Sequence, residues 1–98
     1  MEGMFFHRVR FCFDQLYERL EAFGFDVDLS DMTLSFPVPD QKLPYLLKVH
    51  ALNQEIWLSS PLSGGHRFAW YEAEQVWRHI RTSQDLDAFL QEELATLS

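Results

Sequence analysis

The hydrophobic periodicity of this chain changes twice along its 98 residues, and this change limits the folds that the chain can adopt. Near the N-terminus the apolar residues recur at steps of three and four, which is the spacing of one face of an α-helix. In the middle, apolar and polar residues alternate, as in strands that bury one face. Towards the C-terminus the helical spacing returns. The sequence therefore predicts a helix, several strands and a second helix, in that order.

The two helices have recognisable ends. The first is predicted over residues 4–23, and Gly24 is typical of a C-cap because glycine adopts positive φ at little cost. The second follows Thr82 and Asp85, which match the two ends of a capping box. The apolar stripes are Val9, Phe13, Leu16, Leu20 and Phe23 in the first helix and Leu86, Phe89, Leu90, Leu94 and Leu97 in the second.

Strands are predicted at residues 32–36, 43–51, 54–59, 67–71 and 75–81, separated by short loops that are rich in proline, serine and glycine. The helices and strands do not alternate, so no parallel crossover is needed. We therefore expect an α+β fold, a two-layer α/β sandwich. An antiparallel sheet of about five to six strands carries the N- and C-terminal helices on one face, in a single domain that spans residues 1–98. Trp70 and Trp77 are expected in the core.

The composition disfavours several classes of partner. Eight basic and fifteen acidic residues give a net charge of −7, which repels phosphate backbones and anionic lipid. We therefore expect no nucleic-acid partner and no membrane partner. Cys12 is the only cysteine, so neither an internal disulfide nor a thiolate zinc site is possible, and its aromatic neighbours indicate a packed thiol. The four histidines lack the spacing of a preformed transition-metal centre.

Carboxylates are concentrated between residues 14 and 31, where six acids accompany a single base. Asp14, Glu18 and Glu21 follow the i, i+4, i+7 spacing that places them on one face of the first helix. Asp26 and Asp28 alternate with Val27, so an extended segment points both to one side. If that segment lies beside the helix, the five form one acidic surface that can bind oxygen-preferring cations weakly. The alternative is a solvated helix face that binds nothing.

The sheet contains a second candidate surface. Alternation in residues 55–59 places Ile56 and Leu58 on the face that the helices cover and Trp57 on the open face. Lys48 and His50 are expected on the same open face. An exposed tryptophan among polar side chains is typical of a protein interface, because a large, stiff ring anchors a partner. The alternative is that Trp57 only covers the sheet or packs under a loop.

Residues 53–70, N-Q-E-I-W-L-S-S-P-L-S-G-G-H-R-F-A-W, resemble the central signature of the frataxin family. The first helix, the Asp26-Val27-Asp28 segment, the strand at residues 32–36, Trp77 and the closing leucine-rich helix follow in the family's order. The resemblance covers essentially the whole chain. It implies the same two-layer sandwich.

The resemblance also implies a function. Frataxins bind iron weakly and act with the cysteine desulfurase and the scaffold protein that build iron-sulfur clusters. The resemblance thus implies a weak iron site at Glu18, Glu21, Asp26 and Asp28, with Asp14 and Asp31 as neighbours. It places Asn53, Trp57 and Arg67 on the surface that binds the partner proteins.

The sequence is consistent with three functional interpretations. The preferred one is an iron-binding protein that regulates iron-sulfur cluster assembly or supplies iron to it. The alternatives are a ferroxidase that oxidises Fe²⁺ to Fe³⁺ at surface carboxylates, and an acidic module that binds calcium or magnesium. The resemblance implies a location in the mitochondrion or a related organelle, with the bacterial cytoplasm as the alternative. Without iron the protein is expected to be a monomer.

Overall fold

The structure, a computed structural model, describes residues 2–97 and shows an open sheet covered on one face by two helices. All neighbouring strands are antiparallel, and their spatial order follows their order in the chain. The α+β sandwich that the sequence predicts is therefore confirmed. The elements are α1 (Glu2–Ala22), β1 (Asp28–Ser30), β2 (Thr33–Phe36), β3 (Tyr45–His50), β4 (Glu55–Ser60), β5 (Gly64–Tyr71), β6 (Val76–His79) and α2 (Leu86–Ala95).

One apolar core fills the space between the sheet and the helices. Leu34, Leu47 and Leu58 are cross-strand neighbours on β2, β3 and β4, and each is almost completely buried. Buried residues of α1 recur at the predicted spacing, beginning one turn earlier at Phe5. Trp77 belongs to this core, whereas Trp70 is only half-buried and packs edge-on against it, with 5.4 Å between the ring centroids.

The C-terminus of α1 ends in a Schellman motif, as the position of Gly24 predicts. Gly24 has a φ of 97°, and its N–H donates to the carbonyl of Glu21. The N–H of Phe25 donates to the carbonyl of Leu20 at 3.1 Å, which is the second bond of the motif. The motif turns the chain back so that β1 lies against α1.

Phe23 was predicted on the buried stripe of the first helix, and that prediction is wrong. The helix ends at Ala22, so Phe23 lies in the turn with 74% of its surface exposed. Phe25 turns inward in its place and packs against Phe36, with 5.2 Å between the ring centroids.

Several predicted element bounds also differ from the structure, most of all in β5, which begins at Gly64 and not at Arg67. Asp31 and Met32, both with positive φ, form the two-residue turn between β1 and β2, so the strand begins at Thr33. The capping box does not form: Asp85 is the N-cap of α2, and its side chain makes no capping bond to the described residues. The reason is that the segment before α2 pairs with β6, through a hydrogen bond from His79 N to Gln84 O and a bridge between Arg78 and Asp85.

Candidate functional site

The first candidate surface, the acidic ridge, consists of Asp14, Glu18, Glu21, Asp26 and Asp28. All five side chains are exposed. One end of the ridge lies at a hollow of about 250 Å³ between α1 and the β1–β2 turn, which Arg10, Asp14 and Asp31 help to line. The Schellman motif brings the other end together, because it returns the chain from α1 to Asp26 and Asp28.

The phenol of Tyr17 lies among the carboxylates at this second end of the ridge, and they change its pKa. Its pKa is raised, first by the hydrogen bond to Glu21 and then by the negative charge of Glu21, with smaller contributions from burial and from the charges of Asp26 and Asp28. Three carboxylates from two elements therefore act on one phenol. Negative charge from the helix and from the Asp26–Asp28 segment thus acts together at Tyr17, while the five residues as one cation site stay a prediction.

The ridge does not form a preorganised metal cage. Within residues 2–97 no group of three or more histidine, cysteine, aspartate or glutamate side chains is placed to hold a metal ion. Surface carboxylates without such a cage suit a hard, oxygen-preferring cation that keeps most of its water. Arg19 does not neutralise the ridge, because its guanidinium pairs with Asp87 of α2 at 3.0 Å.

The second candidate surface is the open face of the sheet, on the side away from the helices. Lys48, Trp57 and Arg67 form one row across β3, β4 and β5, since Lys48 and Arg67 are the two cross-strand partners of Trp57. His50 stacks on the indole, with 3.8 Å between the centroids and 7° between the planes. The guanidinium of Arg67 lies 5.2 Å from the same ring. Trp57 is therefore held in place by neighbours on both adjoining strands.

The indole N–H of Trp57 donates to Glu55 Oε1 at 2.9 Å, which fixes the ring orientation further. Asn53 lies in the exposed loop between β3 and β4. The structure thus brings Trp57 and Arg67 into contact and places Asn53 on the adjoining loop. It separates Trp57 and Arg67 from the acidic ridge, because β1, which carries Asp28, is an edge strand, and β2 and β3 lie between it and β4.

The sequence analysis missed a chain of polar side chains, which we call the relay, between the sheet and α2. Ser63 donates its hydroxyl to Glu93 and accepts from His66 Nε2 at 2.8 Å. His66 Nδ1 accepts from His79 Nε2 at 3.0 Å. His79 Nδ1 accepts from the backbone N–H of Arg81 at 3.1 Å. This direction of donation requires both imidazoles to be neutral with the proton on Nε2.

Glu93 is the acceptor at the end of the relay and also binds two other hydroxyls. Tyr45 and Ser60 each donate to its Oε1 at 2.7 Å. Burial by itself raises the pKa of Glu93, but the hydrogen bonds from Ser63, Ser60 and Tyr45 outweigh it, so the pKa is lowered. The contacts that join Ser63 to Glu93, His66 to His79 and Tyr45 to Glu93 link residues far apart in the chain, so no sequence motif predicted this cluster.

Cys12 is not a reactive thiol. It is partly buried against the core, and burial together with the charges of Asp87 and Asp85 raises its pKa to about 12. A thiol with this pKa stays protonated and is a poor nucleophile. The packed thiol that the sequence predicts fits this arrangement.

Comparison with known proteins identifies the family. Residues 3–98 match the family model of the frataxin-like domain. This chain belongs to the frataxin family. Mitochondrial frataxin of Arabidopsis thaliana is 33% identical over 100 residues, covering 94% of this chain and 53% of that protein. Mitochondrial frataxin of Dictyostelium discoideum is 34% identical over 92 residues, covering 87% of this chain and 47% of that protein.

This chain therefore spans about half the length of those two frataxins. Among solved structures, a trimeric frataxin from Saccharomyces cerevisiae complexed with ferrous iron aligns with a TM-score of 0.82 at 28% identity. The alignment covers 92% of this chain and 84% of the yeast chain. The frataxin fold is thus confirmed, and the relatives' names confirm the mitochondrial location that the resemblance implied. Neither helix in residues 2–97 has the length and hydropathy of a membrane-spanning segment.

Proposed function

We propose that this frataxin-family protein binds iron weakly at its acidic ridge and regulates iron-sulfur cluster assembly or supplies iron to it. The observation that carries the proposal is the ridge itself, an exposed carboxylate surface in a family with a solved member complexed with ferrous iron. Iron is cargo here and not a resident cofactor. Carboxylates without a closed cage bind a hard divalent ion loosely and exchange it quickly, which suits delivery.

The two surfaces have separate roles in this proposal. The acidic ridge contacts Fe²⁺ or a basic surface of the cysteine desulfurase. The open face, through Asn53, Trp57 and Arg67, docks on the complex of desulfurase and scaffold protein. Docking acts by preorganisation: it favours the arrangement of the complex in which sulfur transfer is faster, without supplying a bond-breaking residue. The protein is a monomer in the absence of iron.

An anaerobic NMR titration of the isotope-labelled protein with Fe²⁺ tests the iron role. We expect amide signals of the ridge to broaden first, while signals of the open face stay unchanged. The matched variants are Glu21→Gln with Asp26→Asn, which should reduce the broadening, and Asp40→Asn with Glu92→Gln, which remove the same charge elsewhere and should not. Equal broadening in both pairs would show that iron follows net charge and not the ridge.

A desulfurase assay with the scaffold protein present tests the docking role. Trp57→Ala should lose most of the stimulation while the circular dichroism spectrum stays unchanged, because the indole packs on the open face and not in the core. Tyr71→Ala, which removes an exposed aromatic residue of β5, is the control and should keep stimulation. Full stimulation by Trp57→Ala would overturn the docking role.

The ferroxidase alternative uses the same ridge and predicts an additional effect. Oxygen consumption with Fe²⁺ would exceed the buffer rate for the wild type and fall to that rate in Glu21→Gln with Asp26→Asn. No arrangement in residues 2–97 favours this alternative over loose binding.

A further inference from the structure

A groove of about 810 Å³ lies beside Trp57, next to the row that defines the open face. Three cationic side chains, Lys48, Arg67 and Arg81, help to line it. Its lining among residues 2–97 includes no aspartate or glutamate. Three of the eight basic residues of a chain with a net charge of −7 are thus gathered around one groove.

None of these three cations has an acidic partner among the ion pairs of residues 2–97. The ion pairs among residues 2–97 involve Arg8, Arg19 and Arg78, and none includes a cation of the groove. Glu55, on the same face of the sheet, accepts from the Trp57 indole and is not part of the groove lining. Since unpaired cations without a facing acid attract negative charge, the groove is complementary to an anionic partner.

The spacing of the cations indicates the shape of that partner. Lys48 and Arg67 lie on strands that both neighbour β4, so their backbones are about 10 Å apart. Arg81 follows β6, one further strand along, where the N–H of Ile80 donates to the carbonyl of Arg67. One carboxylate or phosphate would fill only a small part of a groove of about 810 Å³. An extended peptide fits its length better, because alternate side chains on one face of the peptide are about 7 Å apart and can meet successive cations.

We propose that this groove binds an extended, acidic segment of a protein partner, with Lys48 and Arg81 joining Trp57 and Arg67 in holding it. The proposal rests on the docking role proposed above and names the chemistry that the open face recognises. Trp57 supplies the apolar anchor, held rigid by His50 and Arg67. The cations select carboxylates along the segment, so partner choice depends on charge as well as on the indole.

The experiment measures binding of a fluorescent peptide of alternating aspartate and serine residues around a central leucine. We expect Lys48→Glu with Arg81→Glu to weaken binding by about tenfold, which corresponds to about 1.4 kcal/mol of binding free energy. The combined Gln41→Glu, Lys42→Glu and Gln91→Glu variant changes net charge equally at exposed positions outside the groove and should change binding little. Binding of the wild type should weaken as salt rises. NMR shifts from the peptide should map to β3, β4 and β5.

Several outcomes would overturn the proposal. Equal weakening of binding by the groove variant and by the control variant of equal charge would show a general effect of net charge. Equal affinity for a peptide with lysine in place of aspartate would show that charge does not select the partner. Tighter binding of single-stranded RNA of the same length, lost in the groove variant, would assign the groove to nucleic acid.

The same variants separate this inference from the docking role. If Trp57→Ala abolishes stimulation of the desulfurase complex while Lys48→Glu with Arg81→Glu keeps it, docking stands and the acidic-segment inference fails. If both variants lose stimulation and the combined Gln41→Glu, Lys42→Glu and Gln91→Glu variant keeps it, both proposals are supported. If Trp57→Ala keeps full stimulation, the docking role itself fails, whatever the peptide binds.

Discussion

At the scale of single residues, Gly24 shapes the acidic ridge although it carries no side chain. Its φ of 97° is strained for any L-residue, and open space surrounds the position where a Cβ would stand. Gly24→Ala should therefore lower the free energy of unfolding by about 1 kcal/mol through backbone strain alone. Gly3→Ala, in α1 and equally free of neighbours, is the control and should leave stability unchanged or raise it slightly. Urea denaturation of both variants measures the difference.

The carboxylate of Glu93 stabilises the fold as a hydrogen-bond acceptor. Three hydroxyls donate to its carboxylate. Glu93→Gln replaces one carboxylate oxygen by an NH₂ group that cannot accept, so at least one of those donors loses its acceptor and the change should cost about 1–3 kcal/mol of stability. Because the folded pKa is lowered, the stabilisation is present above the unfolded pKa of about 4.3 and is lost as pH falls through the folded value. Glu92→Gln, an exposed neighbour, should show neither effect in urea titrations at pH 7 and pH 4.

At the scale of elements, the relay couples α2 to β5 and β6 in a pH-dependent way. Burial, His66 and the charge of Arg81 lower the pKa of His79. A proton on His79 Nδ1 would face the Arg81 N–H, so protonation of His79 breaks the hydrogen bond that Arg81 donates to it. The stabilisation is therefore fully present above the unfolded pKa of about 6.5 and is lost as pH falls through the folded value.

His79→Phe should remove that dependence, because the ring is surrounded by Phe68 and Phe89 and an apolar ring fits the same place. The free energy of unfolding between pH 7 and pH 5 should fall less in this variant than in the wild type. His7→Phe, at an exposed position of α1, should keep the wild-type slope. An unchanged slope in His79→Phe would assign the dependence to other groups.

At the scale of the whole molecule, the sequence predicted what depends on local burial patterns. The alternation around Trp57 predicted both the open face and the buried side of β4, because each strand residue points opposite to its neighbours. It did not predict the relay or the place of Arg81 in the groove, since these depend on contacts between residues far apart in the chain. The apolar stripe of the first helix wrongly placed Phe23 on the buried face, because a periodic stripe does not show where the helix ends.

The acidic ridge lowers the stability of the whole folded protein when no cation is bound. Like charges on α1 repel one another, and Glu18 and Glu21 lie near the C-terminus of α1, where the helix dipole disfavours acids. The combined Glu18→Gln, Glu21→Gln, Asp26→Asn and Asp28→Asn variant should therefore unfold at a higher temperature than the wild type in low salt. The difference should shrink in high salt, because salt screens exposed charges.

Fe²⁺ should raise the unfolding temperature of the wild type above that of the variant. A cation that binds the folded ridge stabilises the wild type by mass action and leaves the variant unaffected. Anaerobic thermal unfolding with and without Fe²⁺ measures both effects on the same samples. A higher unfolding temperature for the variant without iron, together with an iron-dependent rise only in the wild type, would show that the ridge gives up stability for cation binding. An equal rise of the unfolding temperature in both proteins would show that iron binds outside the ridge. An unchanged unfolding temperature in both would show that the ridge is a solvated surface that does not bind iron.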